Sequence, residues 1–431
     1  MLQQANIEFI KEELRMITMG NIPTVGQQLC AWDNRLNLDR MRNERIEKAR
    51  KAINEAGFGA ILCYDYANQM YLGALPKQTW CRAKNIQYVL MCRNGDPILF
   101  TFGTRRPRMH EELSYMDESN IRGMKPLDQM SLDGMDTSDF FNEIKAVLWE
   151  HGVQNEPLAI DQPQTTINLK EQFAAHGINL VDGGKVMQDA RAIKTQDEIL
   201  CFNIAAAVSE VGHQVFKEEI KPGVRECEVV GKAVGAMIAN GGCLFPEAPV
   251  FVSGERTCRN HLDYSDKIIR PGELIMADPN GPMFMGYNTC YYRTYSCGPA
   301  TTRQKEMYAE CYEVMYKAFE QIKPGNTTAD VAAVWPTYEK YPGCKDNYEI
   351  LEVATVHGLG LTLHEVPFAD HINGLAAPRK FEPGMVGAIE YWVGRDDPRE
   401  GVKIEDMFVV TETGCERITK WPNETITECL Y

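Results

Sequence analysis

Glu390 and Glu405 are the residues from which the chemistry of this 431-residue chain is best read. They sit in two strand-like runs, residues 385–393 and 402–410, joined by a segment dense in turn formers, residues 394–401. In an antiparallel hairpin without a bulge, cross-strand partners share a constant sum of residue numbers. The pair 394 and 401 at the ends of the connection shares that sum with the pair 390 and 405. The two carboxylates then stand opposite each other on one face, where like charges repel. Their neighbours are Gly387, Ala388, Ile389, Ile404, Met407 and Phe408. In such a setting they need a shared proton or a bound cation. The alternative is a solvent-facing sheet edge, and the bulky apolar flanks argue against it. His357 lies between Thr355-Val356 and Gly358-Leu359-Gly360, where glycines let another group approach the backbone. Asp278 ends an apolar run just before Pro279-Asn280-Gly281; alone it reads as a turn-initiating aspartate. Together, Asp278, His357, Glu390 and Glu405 form a carboxylate-rich set with one imidazole, suited to Fe(II), Mn(II), Co(II) or Zn(II).

The elements that carry these residues follow from patterning. The composition is 44% hydrophobic and 24% charged, that of a globular chain, and two domains are expected at this length. The net charge of −15 argues against nucleic acid or an anionic membrane as partner. No apolar run approaches the length of a membrane span. The first twenty residues carry Glu8, Lys11, Glu12, Glu13 and Arg15, unlike a secretory signal. The 14 cysteines are scattered singly, without a Cys-x-x-Cys, and read as reduced thiols of a cytoplasmic protein. Helices are expected over 43–57 and 138–152. Strands are expected over 59–65, 157–161 and 179–182, with a hairpin of 87–92 and 97–102 turning at Asn94-Gly95. Long helices over 197–220 and 303–322 are each followed by Lys-Pro-Gly, which hints at an internal duplication. Further strands are expected at 273–277, 291–295, 384–392 and 402–411. The expected organisation is α+β, with an α/β domain over 1–190 and a second domain over 191–431.

In this order the residues resemble the pita-bread family of methionine aminopeptidase, prolidase, aminopeptidase P and creatinase. The landmarks are Ser253-Gly254 with His261, Pro271-Gly272-Glu273-Leu274 with Asp278, Gly286-Tyr287 with Arg293-Thr294, and His357-Gly358 with His364-Glu365 and Pro367. Glu382-Pro383-Gly384-Met385 with Glu390, and then Glu405-Asp406, complete the series. Residues such as Trp32-Asp33, Gln78-Thr79-Trp80, Ala192-Ile193-Lys194 and Lys403-Ile404-Glu405-Asp406 look most like the dimethylsulfoniopropionate lyase branch. The resemblance implies a C-terminal pita-bread domain behind a creatinase-like N-terminal domain, and a homodimer. It also implies two metal positions. One uses the histidine, both glutamates and a second aspartate; the other uses the first aspartate, the second aspartate and the last glutamate.

The chain departs from that pattern. Cys290 stands where the second, bridging aspartate belongs, and Asn280 where the lyase branch carries an acid. A set of Asp278, Cys290, His357, Glu390 and Glu405 therefore implies at most one divalent ion, Fe, Zn or Mn, because two adjacent dications need bridging anions. A metal-free enzyme is the alternative, since creatinase works without metal and with a catalytic histidine near the position of His261. His261 and His364 are the acid–base residues to expect, Trp80 an aromatic wall for an onium group, and Arg293 a partner for a substrate carboxylate or for Asp278 or Glu390. The expected function is cleavage of a C–S or C–N bond in a small zwitterionic carboxylate. A creatinase-like hydrolase is the alternative, ahead of an Xaa-Pro peptidase or a non-catalytic binding protein.

Overall fold

The computed structural model describes residues 36–73, 87–125, 127, 137–161, 168–242, 247–341 and 343–431. Trp80 and residues 1–35 lie outside them. The chain divides into two compact units, Met1–Gly184 and Lys185–Tyr431.

The first unit is built on one six-stranded mixed sheet in the order β4-β3-β2-β1-β5-β6. Its strands are β1 (Ala60–Cys63), β2 (Tyr88–Cys92), β3 (Ile98–Thr101), β4 (Ile121–Gly123), β5 (Leu158–Ile160) and β6 (Leu180–Asp182). Every residue of β1, β2, β3 and β5 is buried, as expected of a sheet covered on both faces. The expected hairpin forms, with Leu90 opposite Ile98 on either side of the Asn94-Gly95 turn. Helix α1 (Leu38–Glu55) starts at Asn37, whose side chain accepts from the Arg40 N–H, and buries Met41, Arg45, Ala49 and Ile53 at a spacing of four. Helix α2 (Ser138–Glu150) buries Phe140, Phe141, Ile144, Val147 and Leu148 against the sheet.

The second unit holds two sheets. A four-stranded one runs β15-β9-β8-β7 and a five-stranded one β11-β10-β12-β13-β14. The strands are β7 (Val250–Ser253), β8 (Leu274–Asp278), β9 (Arg293–Cys297), β10 (Ala354–Gly358), β11 (Glu365–Phe368), β12 (Val386–Asp396), β13 (Arg399–Val410), β14 (Cys415–Arg417) and β15 (Thr427–Cys429). Helices α3 (Gln196–Glu219) and α4 (Glu226–Ala239) pack Phe216, Val229, Ala233 and Met237 on Phe251, Ile275 and Tyr295 of the smaller sheet. Helix α5 (Thr302–Phe319) packs Met307, Cys311 and Met315 on Ile389, Tyr391 and Ile404 of the larger one.

The two halves of this unit share a plan. Both α3 and α5 open on a threonine capping box, Thr195 with Glu198 and Thr301 with Gln304. After each helix, Lys-Pro-Gly turns on a glycine in the left-handed region, Gly223 at φ 89° and Gly325 at φ 96°. Among the described helices, α3 alone has the length and apolarity to cross a membrane, but its Cys201, Phe202, Ala205 and Phe216 are buried within the unit. The β12–β13 hairpin keeps one register from Val386↔Val409 to Asp396↔Arg399. Its strands run further than expected, leaving only Asp397-Pro398 as the connection.

Candidate metal centre

Strand register sets the site. Glu390 on β12 is paired with Glu405 on β13, and Thr355, two residues before His357 on β10, is paired with Glu390. Because side chains alternate along a strand, His357, Glu390 and Glu405 share one face. Asp278, the last residue of β8, and Cys290, just ahead of β9, reach it from the smaller sheet. All five are buried.

Cys290, His357 and Glu405 each present one donor atom, and these atoms lie within 4.8 Å of one another. His357 Nε2 is 3.3 Å from Glu405 Oε1, and the Cys290 thiol is 3.6 Å from Asp278 Oδ2. His357 Nε2, Glu405 Oε1 and Glu405 Oε2 are buried without a hydrogen-bond partner. Three such atoms side by side are costly unless something satisfies them. A single divalent ion does so, and a nitrogen, a sulfur and an oxygen donor fit Zn(II) or Fe(II). The chain thus offers a place for one ion, with Asp278 beside it.

Charge agrees with this arrangement. Burial, reinforced by Glu405, pushes Asp278 up to about 8. Burial, reinforced by Glu390, pushes Glu405 up to about 8 as well. Burial and the surrounding carboxylates also push the Cys290 thiol well up. Unfolded carboxylates titrate near pH 4. Between about pH 4 and pH 8 the metal-stripped native state therefore holds more protons than the unfolded chain, and its stability falls as pH rises through that window. The melting temperature of stripped protein should drop between about pH 5.5 and about pH 8.5, and one equivalent of Zn(II) should shrink the drop by displacing those protons. A stripped protein with a flat profile would refute this charge assignment.

Glu390 behaves differently, because Lys403 answers it. Lys403 lies on β13 two residues before Glu405 and is fully buried. Its Nζ is 2.6 Å from Glu390 Oε2 and 3.9 Å from the centre of the Tyr292 ring. Burial alone would raise Glu390, but the Lys403 ammonium outweighs it and holds the carboxyl below its usual range. The expected need of the two glutamates for a proton or a cation is met unequally, with Glu405 the one pushed to hold a proton and Glu390 answered by the Lys403 ammonium. One oxygen of Glu390 is committed to the Lys403 ammonium, a residue of the Lys403–Asp406 motif to which the sequence assigns no role at the site. The signal is present all the same, since Lys403 and Glu405 are two apart on one strand and must face the same way.

Arg293 is a second correction. It is neither a substrate ligand nor a partner of Asp278 or Glu390. Its guanidinium is buried and spends all five donors, on Asp406 Oδ1 at 2.6 Å and on the carbonyls of Tyr292, Glu405, Trp421 and Pro422. The glycines after His357 admit a group from their own loop. A Cβ on Gly358 would strike the Val366 carbonyl, and one on Gly360 the Glu365 carboxylate. Glu365 is held there by Arg191 at 3.3 Å and Lys194 at 3.4 Å.

A cavity of about 460 Å³ opens onto the site. Asp278, Cys290, His357 and Glu390 line its floor together with Tyr292, and His261 and His364 line it too. Glu247, Asp263, Glu352 and Asp370 add carboxylates to the wall. The His364 ring is packed edge-on to His357, with centroids 4.4 Å apart. The residue is nonetheless exposed, and desolvation with the neighbouring His357 lowers its pKa, so the ring is neutral at pH 7.

Residues 201–412 match metallopeptidase family M24. The Xaa-Pro dipeptidase of Pyrococcus furiosus is 33% identical over 264 residues, 60% of this chain and 71% of that protein. The chain belongs to metallopeptidase family M24. The M24 chain is also 26% identical to the dimethylsulfoniopropionate lyase DddP of Roseovarius nubinhibens over 411 residues, 90% of this chain and 87% of the lyase. The solved Xaa-Pro dipeptidase from Bacillus anthracis superposes with a TM-score of 0.71 at 25% identity, covering 90% of this chain and 99% of that one. The expected pita-bread fold with an N-terminal domain holds, and this M24 protein is an enzyme by family.

Proposed function

We propose that this M24 enzyme cleaves a C–S or C–N bond in a small zwitterionic carboxylate, in the manner of a dimethylsulfoniopropionate lyase. The observation that carries the reading is Cys290 at the bridging place, with its thiol against Asp278 and its sulfur in the donor group of His357 and Glu405. One three-donor group supports one ion, whereas a hydroxide held between two metals, the peptidase arrangement, needs a bridging carboxylate. Likeness to the lyase runs through 90% of the chain, while likeness to the Pyrococcus dipeptidase covers 60%. The carboxylates of Glu247, Asp263, Glu352 and Asp370 complement the onium end of such a substrate.

A divalent ion on Cys290, His357 and Glu405 would supply a Lewis acid for the substrate carboxylate. Neutral His364 is placed to accept the proton lost from the carbon α to that carboxylate. As that C–H bond breaks, its electron pair forms the α–β double bond and the β C–S bond leaves with the sulfide. The test is incubation of metal-replete protein with dimethylsulfoniopropionate, following acrylate and dimethyl sulfide together. Equal amounts of both are expected, and absence of both removes the lyase reading. The presence of both His261 and His364 on the cavity favours the creatinase-like hydrolase as second reading, tested by urea or amine release from guanidino acids and betaines. Brisk hydrolysis of Xaa-Pro dipeptides would overturn both.

A further inference from the structure

Three histidines line the cavity; His357 belongs to the donor group, and of the other two only His364 has a ring nitrogen to spare. An ammonium has three protons to donate and no lone pair. Lys403 Nζ meets three acceptors, Glu390 Oε2 at 2.6 Å, His261 Nε2 at 3.1 Å and Asn260 Oδ1 at 3.3 Å, and its remaining side lies on the Tyr292 ring. The acceptor at His261 must then carry its lone pair on Nε2, which puts the ring proton on Nδ1. There Glu352 Oε2 is waiting at 3.2 Å.

The same two residues clamp Asn260. Its Nδ2 donates to the Glu352 carbonyl, which turns Oδ1 towards Lys403. The pair Asn260-His261 is thus gripped from both sides, and His261 is held at φ 51°, a left-handed conformation that costs a non-glycine residue about 1 kcal/mol or more. Freeing Nε2 would leave a fully buried ammonium short of a partner. Among the described residues, neither ring nitrogen of His364 has a hydrogen-bond partner.

We propose that Lys403 fixes His261 as the Nδ1–H tautomer and closes its Nε2 to substrate, so that His261 is a positioning residue and proton transfer falls to His364. The part about His364 rests on the proposed function; the tautomer does not. A tautomer fixed in this way counts against the creatinase-like route, which needs the ring at His261 as a base.

The experiment is a long-range ¹H–¹⁵N correlation of protein labelled with ring-¹⁵N histidine, with the His261 signals identified by their loss in His261→Gln. In the unaltered protein, His261 should show a proton-bearing Nδ1 and a bare Nε2. Lys403→Met should move His261 towards the Nε2–H form, and Lys403→Arg, which keeps a donor, should restore the first pattern. An Nε2–H tautomer in the unaltered protein overturns the proposal, as does an unchanged pattern in a folded Lys403→Met. If Lys403→Met does not fold, the unaltered protein and Lys403→Arg still decide. No substrate enters the measurement, so failure of the lyase reading is told apart from failure of the tautomer.

Discussion

His357→Ala is expected to leave the purified protein with almost no bound metal and to lower turnover by about a thousandfold or more. The imidazole supplies the one nitrogen of the three-donor group, and Cys290 and Glu405 alone are a poor tetrahedral set. Loss of the Lewis acid removes several kcal/mol of transition-state stabilisation, and about 4 kcal/mol is a factor of about a thousand. Elemental analysis without chelator should give about one equivalent per chain for the parent protein and a small fraction of that for the variant. Two equivalents in the parent would contradict the single-ion site. A variant that keeps its metal would remove His357 from the ligand set. The fold should survive, because the deletion takes away a polar side chain whose Nε2 has no hydrogen bond in the metal-free site.

Arg293→Met should destabilise the fold by about 3–5 kcal/mol, because it takes from a buried carboxylate its hydrogen-bonded counter-charge and leaves only Arg417, 3.9 Å away. That carboxylate belongs to Asp406, which also accepts from Thr419 Oγ1 at 2.6 Å, from the Tyr316 hydroxyl at 3.1 Å and from Asn423 Nδ2. Arg293→Lys should recover only part of the loss, since three donors replace five. Urea denaturation of the metal-stripped protein is the measurement, and a loss below about 1 kcal/mol would show that the network is not integral to the fold. Arg293 also donates to the Glu405 carbonyl at 2.6 Å. A weakened metal affinity should therefore accompany the lost stability.

The contrast between these residues shows what local sequence can say. The opposition of Glu390 and Glu405 is legible because strand side chains alternate with period two and a short connection fixes the register. The missing bridge is legible from one spacing, which puts cysteine where an acid belongs. Strand position tells which way Lys403 and Arg293 face, but their partners are not legible, and for the same reason. Each is a cation on a buried strand whose partners arrive from distant parts of the chain, Asn260 and His261 for one, Asp406, Trp421 and Pro422 for the other. Charge and position on a strand do not say which acceptor will answer. Arginine suits carboxylates, so Arg293 points to a substrate in the sequence, while the fold has a carboxylate of its own for it. Trp80, the expected aromatic wall, lies outside the described residues.

The shared plan of the helices α3 and α5 has an evolutionary corollary. Asp278, Cys290 and Asn280 belong to the segment that follows the first threonine-capped helix, while His357, Glu390 and Glu405 follow the second. If the two segments are copies of one ancestor, the departure from the two-metal pattern at Cys290 and the departure from the lyase branch at Asn280 both fall in the first copy, and the second retains its full complement of ligands. Neither copy could hold an ion alone, so their fates are joined at the site, yet one could wander towards new chemistry while the other anchored the metal.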